Sequence, residues 1–274
     1  DEQLEKARTN AHITDLATIV YTSGTTGNPK GCELTHKSLV DHCKNAAAEL
    51  PEIANDKQHS LIFLPMAHIL ARYVSVLCIY SGIRVGHLGD TKLVGEVLPV
   101  FKPSFLLAVP RVFEKVYNGA ELKAEAGGKG KIFRAAAETA IEYSKALDAK
   151  GGPSLGLKVK HGLFDKLVYS KLRAAMGGQV KYAISGGAPL GARLGHFFRG
   201  IGLIVLEGYG LTETAAAAVI GRVSWQKIGK VGRVLPGTGI KIAEDGEIWL
   251  RGNNILRGYW RNPTATAAAM DGEW

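Results

Sequence analysis

The sequence predicts an α/β fold with a parallel sheet, because short β-branched runs alternate with helical patterns along most of the chain. The runs that indicate strands are followed by turns or helical patterns, as expected of βα units; they span residues 16–22, 59–64, 83–88 and 104–109. A helix rich in Val and Leu is predicted over 71–80, and another begins at Pro110.

The pattern changes after residue 228. Two alternating runs, 239–243 and 247–251, flank the turn sequence Glu-Asp-Gly and predict a β-hairpin. We therefore expect an α/β core over 1–228, followed over 229–274 by the beginning of a small β subdomain.

Two longer helices are predicted between residues 126 and 177, separated by the breaker sequence KGGPS at 150–154. Each has apolar residues at steps close to three and four, which is typical of an amphipathic helix. The first set is Ile132, Ala136, Ala140, Tyr143 and Leu147, and the second is Val159, Leu163, Leu167, Leu172 and Met176. Gly177 is placed to end the second helix.

Composition limits the function classes. The chain has 274 residues, of which 46% are hydrophobic and 22% charged, as in ordinary globular proteins. A net charge of +9 favours anionic partners, namely nucleic acid, phosphate-rich small molecules or an anionic membrane surface. No run of five Lys or Arg residues is present, so nucleic acid is the weaker of these interpretations.

The cysteines and the lengths of the apolar runs indicate the cellular location. Cys32, Cys43 and Cys78 are too few and too scattered for a disulfide framework or a zinc site, which favours a reducing cytosol. No apolar run approaches the ~18 residues of a membrane span. The polar N-terminus is unlike a signal peptide and lacks an initiator Met, so we expect a trimmed chain.

The strongest motif is YTSGTTGNPKG at 21–31, which follows the first predicted strand. Its hydroxyl and glycine residues could wrap the phosphates of a nucleotide, and Lys30 adds a positive charge. The motif differs from the common phosphate loop because Pro29 precedes the lysine and Gly31 follows it. The alternative is a Ser/Thr/Gly surface loop.

With two further strings, SGGAPL at 185–190 and LEGYGLTET at 206–214, the sequence resembles the adenylate-forming superfamily of acyl-CoA synthetases, firefly luciferase and peptide-synthetase adenylation domains. The resemblance implies that the first motif binds the ATP phosphates through Thr22, Ser23, Gly24, Thr25, Thr26, Gly27 and Lys30. It implies an adenine-binding loop at Gly186, Gly187 and Ala188.

In the third string, the resemblance implies that Tyr209 stacks on adenine beside Gly210, that Thr212 contacts phosphate and that Glu213 holds magnesium together with Thr22. An aromatic face beside glycines and a carboxylate beside a triphosphate are chemically suited to these roles. Taken alone, Tyr209 could be a half-buried core ring and Glu213 a solvated charge.

The string LPMAHILAR at 64–72 resembles the family segment beside the acyl pocket, which implies that His68 lies where the carboxylate and later the thiol arrive. The alternative is a structural histidine. The strings LPMAHILAR and AVPRVFEKVY (108–117), with the helical insert near 132–147, resemble the long-chain fatty acyl-CoA synthetase branch.

The resemblance implies the layered parallel-sheet core of the adenylate-forming fold and a ligase that uses ATP, magnesium, a fatty acid and CoA. His68, Thr212 and Glu213 would act in catalysis. Rival interpretations are an aryl or medium-chain CoA ligase, a fatty acyl-AMP ligase and a non-catalytic nucleotide- or acyl-binding module. We expect the chain to stop before the family's ribose-binding aspartate and its C-terminal lid domain. A cytoplasmic protein without nucleic-acid partners is expected, while peripheral membrane association and a homodimer are left open.

Overall fold

The computed structural model describes residues 2–22 and 27–274. Its centre is a seven-stranded sheet in the order β4-β3-β5-β6-β7-β8-β9. Strands β3 to β7 are parallel, and β8 and β9 continue the sheet in antiparallel pairing. The predicted α/β fold with a parallel sheet is confirmed, and the two antiparallel strands make the sheet mixed.

The strands are β1 Leu16–Tyr21, β2 Gly31–Thr35, β3 His59–Ile62, β4 Arg84–His87, β5 Phe105–Ala108, β6 Tyr182–Ser185, β7 Ile204–Leu211, β8 Ala216–Ile220, β9 Arg233–Val234, β10 Thr238–Ile242, β11 Ile248–Gly252 and β12 Gly258–Tyr259. The helices are α1 Glu2–Asn10, α2 His36–Glu49, α3 Ile69–Tyr80, α4 Val94–Phe101, α5 Pro110–Ala126, α6 Gly130–Asp148, α7 Leu155–Phe164, α8 Ser170–Ala175, α9 Ala192–Gly200 and α10 Pro263–Ala269. Short helical turns lie at Thr91–Leu93, Asp165–Tyr169 and Thr212–Thr214.

The sheet is covered on both faces. Side chains alternate along a strand, so Phe105 and Leu107 of β5 join one core with α2 and α3, whereas Leu106 joins a second core with α5, α6 and α9. Burial on both faces explains the continuous apolar sequence of the parallel strands. A fully buried Phe or Leu contributes ~1.5–3 kcal/mol, so the two cores fix the sheet and the loops at its edge.

Two smaller sheets accompany the large one. Strands β1 and β2 form an antiparallel hairpin, and β12 pairs with β2. Strands β10 and β11 form the second hairpin, which confirms the turn predicted at Glu-Asp-Gly. Two strands that lie after residue 228 pair with earlier parts of the chain: β9 joins the seven-stranded sheet, and β12 joins β2. The division of the chain at this residue remains a prediction.

The helices between β5 and β6 differ from the sequence expectation. The buried face of α6 includes Phe133, Ala136, Ala140 and Ser144, whereas Ile132 at the end of the predicted face is exposed. The second predicted helix is instead α7, a π-helical turn at Asp165–Tyr169 and α8. Of its predicted apolar face, Val159, Leu163 and Leu167 are exposed, whereas Leu172 packs against the second core and Met176 is buried in it.

The end of this region follows the prediction. Gly177 has φ of 102°, and a Cβ atom there would lie 2.7 Å from the Leu98 carbonyl oxygen. A side chain is thus excluded where α8 ends.

Among residues 2–22 and 27–274, no helix is both long and apolar enough to cross a membrane.

Candidate active site

Three of the predicted site segments follow parallel strands of the large sheet. The LPMAH segment follows β3, the SGGAPL segment includes the end of β6, and the turn Thr212–Thr214 follows β7. Since the carboxyl ends of parallel strands meet at one edge of a sheet, these segments lie along the same edge. This edge is the usual position of a ligand site in open α/β sheets.

The phosphate-loop motif forms the connection of the β1–β2 hairpin. At its base the Thr22 N–H donates to the Lys30 carbonyl oxygen at 2.9 Å, and the Lys30 N–H donates to Thr22 Oγ1 at 3.4 Å. Gly27 is exposed, and Lys30 is half-buried. The predicted donors Ser23, Gly24, Thr25 and Thr26 lie outside the described residues.

Tyr259 connects this hairpin to Glu213. The pairing of β12 with β2, and a 2.7 Å bond from the Trp260 N–H to the Gly31 carbonyl oxygen, place Tyr259 beside the hairpin base. Its hydroxyl donates to Glu213 Oε1 at 2.7 Å, and Lys30 Nζ lies 4.8 Å from the centroid of its ring. One tyrosine therefore positions the predicted phosphate cation and the predicted metal carboxylate relative to each other.

The turn that carries Glu213 is held by buried polar contacts. The Thr214 hydroxyl accepts from the Leu211 N–H at 2.9 Å and lies 2.7 Å from the Ala216 carbonyl oxygen. The Asn254 side-chain amide donates to the Thr214 carbonyl oxygen at 3.1 Å. Ala215 and Ala216 follow with φ of 50° and 95°, a backbone conformation that costs free energy and that surrounding contacts must maintain.

The electrostatics around Glu213 keep its neighbours protonated. Burial, followed by the Glu213 charge, raises the pKa of Cys32 to about 12. Burial and the hydrogen bond to Glu213 likewise raise the pKa of Tyr259 above its ordinary value. Tyr259 is therefore a hydrogen-bond donor to Glu213 throughout the neutral pH range.

The predicted adenine loop is held by Glu207 of β7. Its carboxylate accepts from the Leu190 N–H at 2.9 Å, across from Ser185 at the end of β6. A Cβ atom on Gly186 would contact the Gly208 carbonyl oxygen at 3.5 Å and Leu70 at 3.7 Å. The backbone of this loop is thus closely packed against β7 and α3.

The remaining two loop positions point outward. Gly187 has φ of 84° and is exposed, as is Ala188. Because glycine has no side chain, its backbone N–H and C=O groups are accessible and could line one face of a flat base.

Tyr209 and Gly210 lie on β7, where β8 pairs with it. Tyr209 is half-buried and packs against Ala218, Val219 and Leu250. A Cβ atom on Gly210 would lie 1.7 Å from the Ala216 carbonyl oxygen, so β8 requires glycine there. The close packing of Gly210 has a structural cause, and the nucleotide contacts of both residues remain predictions.

His68 caps the first turn of α3. Its Nδ1 atom accepts from the Leu70 N–H at 3.2 Å, so in the neutral ring the proton is assigned to Nε2. The side chain is exposed. Arg72, one turn later, donates from Nε to the Met66 carbonyl oxygen at 3.1 Å and from Nη1 to Thr18 Oγ1 at 3.1 Å, which ties the His68 segment to β1.

The structure thus links Lys30 to Glu213 through Tyr259 and joins Thr22 to the Lys30 backbone. It also joins His68 to Gly186 through Leu70. Thr212 is half-buried in the turn beside Glu213.

Sequence reasoning missed the positioning residues Tyr259, Glu207, Arg72 and Asn254. Glu207 and Arg72 lie within motif strings that already indicated a site. Tyr259 gave no such signal, because 46 residues separate it from Glu213.

The residues present fit a magnesium ion that is shared with phosphates. Glu213 and Thr22 offer hard oxygen ligands. Within the described part of the chain, no group of three His, Cys, Asp or Glu side chains could hold a metal. Mg²⁺ in nucleotide sites is usually bound by one or two carboxylates plus substrate phosphates, so one carboxylate is sufficient.

The chain is similar to known proteins along nearly all of its length. The sequence profile described as "AMP-binding enzyme" matches residues 1–260. The long-chain-fatty-acid–CoA ligase FadD15 of Mycobacterium tuberculosis is 52% identical over 261 residues, which cover 95% of this chain and 43% of the relative. Long chain acyl-CoA synthetase 3 of Arabidopsis thaliana is 33% identical over 95% of this chain and 41% of its own length. The chain therefore spans less than half the length of these relatives.

Among solved structures, o-succinylbenzoate CoA synthetase of Bacillus subtilis, in complex with an acyl-adenylate intermediate, superposes with a TM-score of 0.67 at 20% identity. The alignment covers 96% of this chain and 46% of that one. At this identity the likeness concerns the fold, and the family follows from the profile and the closer relatives. The chain belongs to the family of AMP-binding enzymes.

Proposed function

We propose that the chain carries the ATP-binding and acid-activating part of a long-chain fatty acid–CoA ligase. The observation that supports the proposal is the junction of Lys30, Tyr259 and Glu213, because it would bring a cation suited to phosphate and a carboxylate suited to a metal ion to the same tyrosine. The substrate class rests on the relatives at 52% and 33% identity, whose names specify long-chain acids.

In the proposed reaction, a carboxylate oxygen of the fatty acid attacks the α-phosphate of ATP and pyrophosphate leaves. The thiol of CoA then attacks the acyl carbon, and AMP leaves with the electron pair of the broken bond. No nucleophile of the protein is needed, so the chain acts by positioning and by stabilising charge.

Lys30 and the hydroxyls of residues 22–26 would bind the β- and γ-phosphates, whose negative charge increases as pyrophosphate departs. Thr212 would be a further phosphate contact. The glycine loop at 186–188 and Tyr209 would hold adenine, with Glu207 fixing that loop through the Leu190 N–H. A bound Mg²⁺ ion would neutralise phosphate charge, and Glu213 and Thr22 are the residues that would hold it.

His68 is the proposed contact at the acyl carboxylate and later at the thiol. Its Nδ1 atom is engaged by Leu70, so the neutral ring would present Nε2–H as a hydrogen-bond donor. This assigns His68 a positioning role. A cytoplasmic location is proposed because the three cysteines are free and buried, as expected of a protein from a reducing compartment.

The test is ATP–pyrophosphate exchange by the complete protein that carries this chain, with palmitate, hexanoate and benzoate compared at equal concentrations. We expect exchange to be fastest with palmitate, and a thioester to form when CoA is added. Preference for benzoate or hexanoate would contradict the substrate class. Adenylate without thioester would indicate an acyl-AMP ligase, and ATP binding without exchange a non-catalytic module.

A further inference from the structure

Helix α7 presents a row of large apolar side chains to solvent. Leu155, Val159 and Leu163 are 79%, 68% and 57% exposed, and Leu167 in the following π-helical turn is 49% exposed. The residues recur every four positions, so they form one stripe along the helix. A contiguous apolar surface of this kind commonly marks an interaction site.

The opposite side of α7 faces the protein. The attachment is made by His161, whose Nε2 atom lies 2.6 Å from the Gly200 carbonyl oxygen and whose ring stacks on Tyr143 with the ring centroids 3.9 Å apart. Val159 and His161 are separated by about 200° around the helix axis. The stripe therefore points away from the core.

Lysines border the stripe on both sides. Lys158 and Lys160 lie one residue before and one after Val159, about 100° to either side of it around the helix. Over residues 150–173 there are six Lys or Arg side chains against one acid, Asp165, which pairs with Arg173 at 2.6 Å. The segment that carries the stripe therefore has a strong net positive charge.

We propose that this face of α7, the stripe Leu155, Val159, Leu163 and Leu167 with its flanking lysines, docks on the surface of an anionic lipid bilayer. A helix that lies in a membrane interface needs an apolar face bordered by Lys or Arg, which bind acidic headgroups while the apolar side chains enter the acyl boundary. Charge complementarity favours this partner over an uncharged protein groove. The inference goes beyond the proposed function and does not depend on it.

The first test is co-sedimentation of the chain with phosphatidylcholine vesicles, with and without phosphatidylglycerol. We expect binding to the anionic vesicles only, and weaker binding at high salt. The double variant Lys158→Glu/Lys160→Glu should lower partitioning by at least about 25-fold, because each lysine near the surface contributes about fivefold. The control Lys44→Glu/Lys57→Glu changes two exposed lysines elsewhere and should bind nearly as the parent does.

The apolar contribution is tested by Leu155→Gln/Val159→Asn/Leu163→Gln, which should lower partitioning at least about tenfold. Its control is Ile79→Gln/Val100→Asn, two side chains that are 79% and 82% exposed on other helices. Circular dichroism and thermal unfolding check that the variants fold, as expected for exposed positions.

A second readout locates the contact. Cys32, Cys43 and Cys78 are buried, so a thiol-reactive, polarity-sensitive fluorophore should label Leu163→Cys selectively. Its emission should shift to the blue with anionic vesicles, whereas a fluorophore at Ile79→Cys should not respond. The proposal would be overturned if vesicle binding is retained in both the lysine variant and the apolar variant. It would also be overturned if the emission of the fluorophore at residue 163 does not shift. A different result would also overturn the proposal: the parent does not bind vesicles but self-associates, and the variant Leu155→Gln/Val159→Asn/Leu163→Gln abolishes that self-association. The stripe would then bind a second copy of this chain.

Discussion

Replacing Tyr259 with Phe removes one hydroxyl group and leaves the ring beside Lys30. That hydroxyl donates to Glu213 Oε1 at 2.7 Å, and Tyr259 is only 7% exposed. A hydrogen bond to a charged group contributes ~1.5–3 kcal/mol, and the half-buried position of Glu213 favours the lower end. About 1.5 kcal/mol corresponds to roughly a tenfold change in an equilibrium constant.

We therefore expect Tyr259→Phe to weaken ATP binding about tenfold when Mg²⁺ is present, and less than twofold when it is chelated. The reason is that the hydroxyl orients the carboxylate that would bind the metal, whereas Lys30 retains its aromatic neighbour. Calorimetric titration of the chain with ATP, in magnesium and in chelator, gives both affinities. Tyr80→Phe, at a half-exposed ring on α3, is the matched control. Equal losses in the two conditions, or no loss in magnesium, would refute the positioning role of Tyr259.

Three further predictions concern other positions. Glu213→Gln keeps the shape of the side chain but removes its charge, so the Mg²⁺ concentration for half-maximal ATP binding should rise about tenfold or more. Glu207→Ala removes the acceptor of the Leu190 N–H and should weaken AMP binding about tenfold, with Glu207→Gln restoring most of the affinity. Burial lowers the pKa of His42 to about 4, so the unfolded chain binds a proton that the folded chain does not between about pH 6.5 and 4. Stability should therefore fall as pH drops, by about 2 kcal/mol between pH 7 and pH 5 from this residue, and His42→Phe should remove that component in urea unfolding.

A magnesium titration of Glu213→Gln that overlays the parent's would make Glu213 a bystander. If Glu207→Gln binds AMP as poorly as Glu207→Ala, a hydrogen-bond acceptor at residue 207 is not what positions the adenine loop. An unchanged pH dependence in His42→Phe would show that folding does not lower the pKa of His42. His12→Phe, at an exposed site, serves as the control.

Much of the fold can be predicted from local patterns. The parallel strands are apolar because both faces are covered, and their β-branched residues indicate where they lie. The turn sequence Glu-Asp-Gly locates the β10–β11 hairpin. These features depend on residues close together in the chain, so the sequence displays them directly.

Helix α7 shows the limit of periodicity. The spacing of Val159, Leu163 and Leu167 indicates that one face is apolar, but it does not indicate what covers that face. Helix α7 contacts the rest of the protein through His161, on the opposite side, and through Phe164, which packs against the second core. On α6, Phe133, Ala136 and Ala140 are buried, whereas Ile132 next to Phe133 lies on the exposed side, so the spacing of apolar residues alone does not locate the buried face.

The motifs of the site can be predicted from the sequence, but the contacts between distant parts of the chain that join them cannot. The three strings locate the hairpin, the glycine loop and Glu213 from sequence. The contact of Tyr259 with Glu213 depends on β12 pairing with β2, more than two hundred residues away along the chain, and no local pattern encodes that pairing. Likewise, Glu207 binds Leu190 because β6 and β7 are neighbours in the sheet.

Binding of the terminal phosphates of a nucleotide by the β1–β2 hairpin can be measured by comparing ATP with AMP in the variant Lys30→Ala. AMP lacks the β- and γ-phosphates, so its affinity should change less than twofold, whereas ATP should bind about tenfold or more weakly. Lys44→Ala, at an exposed lysine on α2, should leave both affinities unchanged. Equal losses for ATP and AMP, or no loss for ATP, would show that Lys30 does not bind the terminal phosphates.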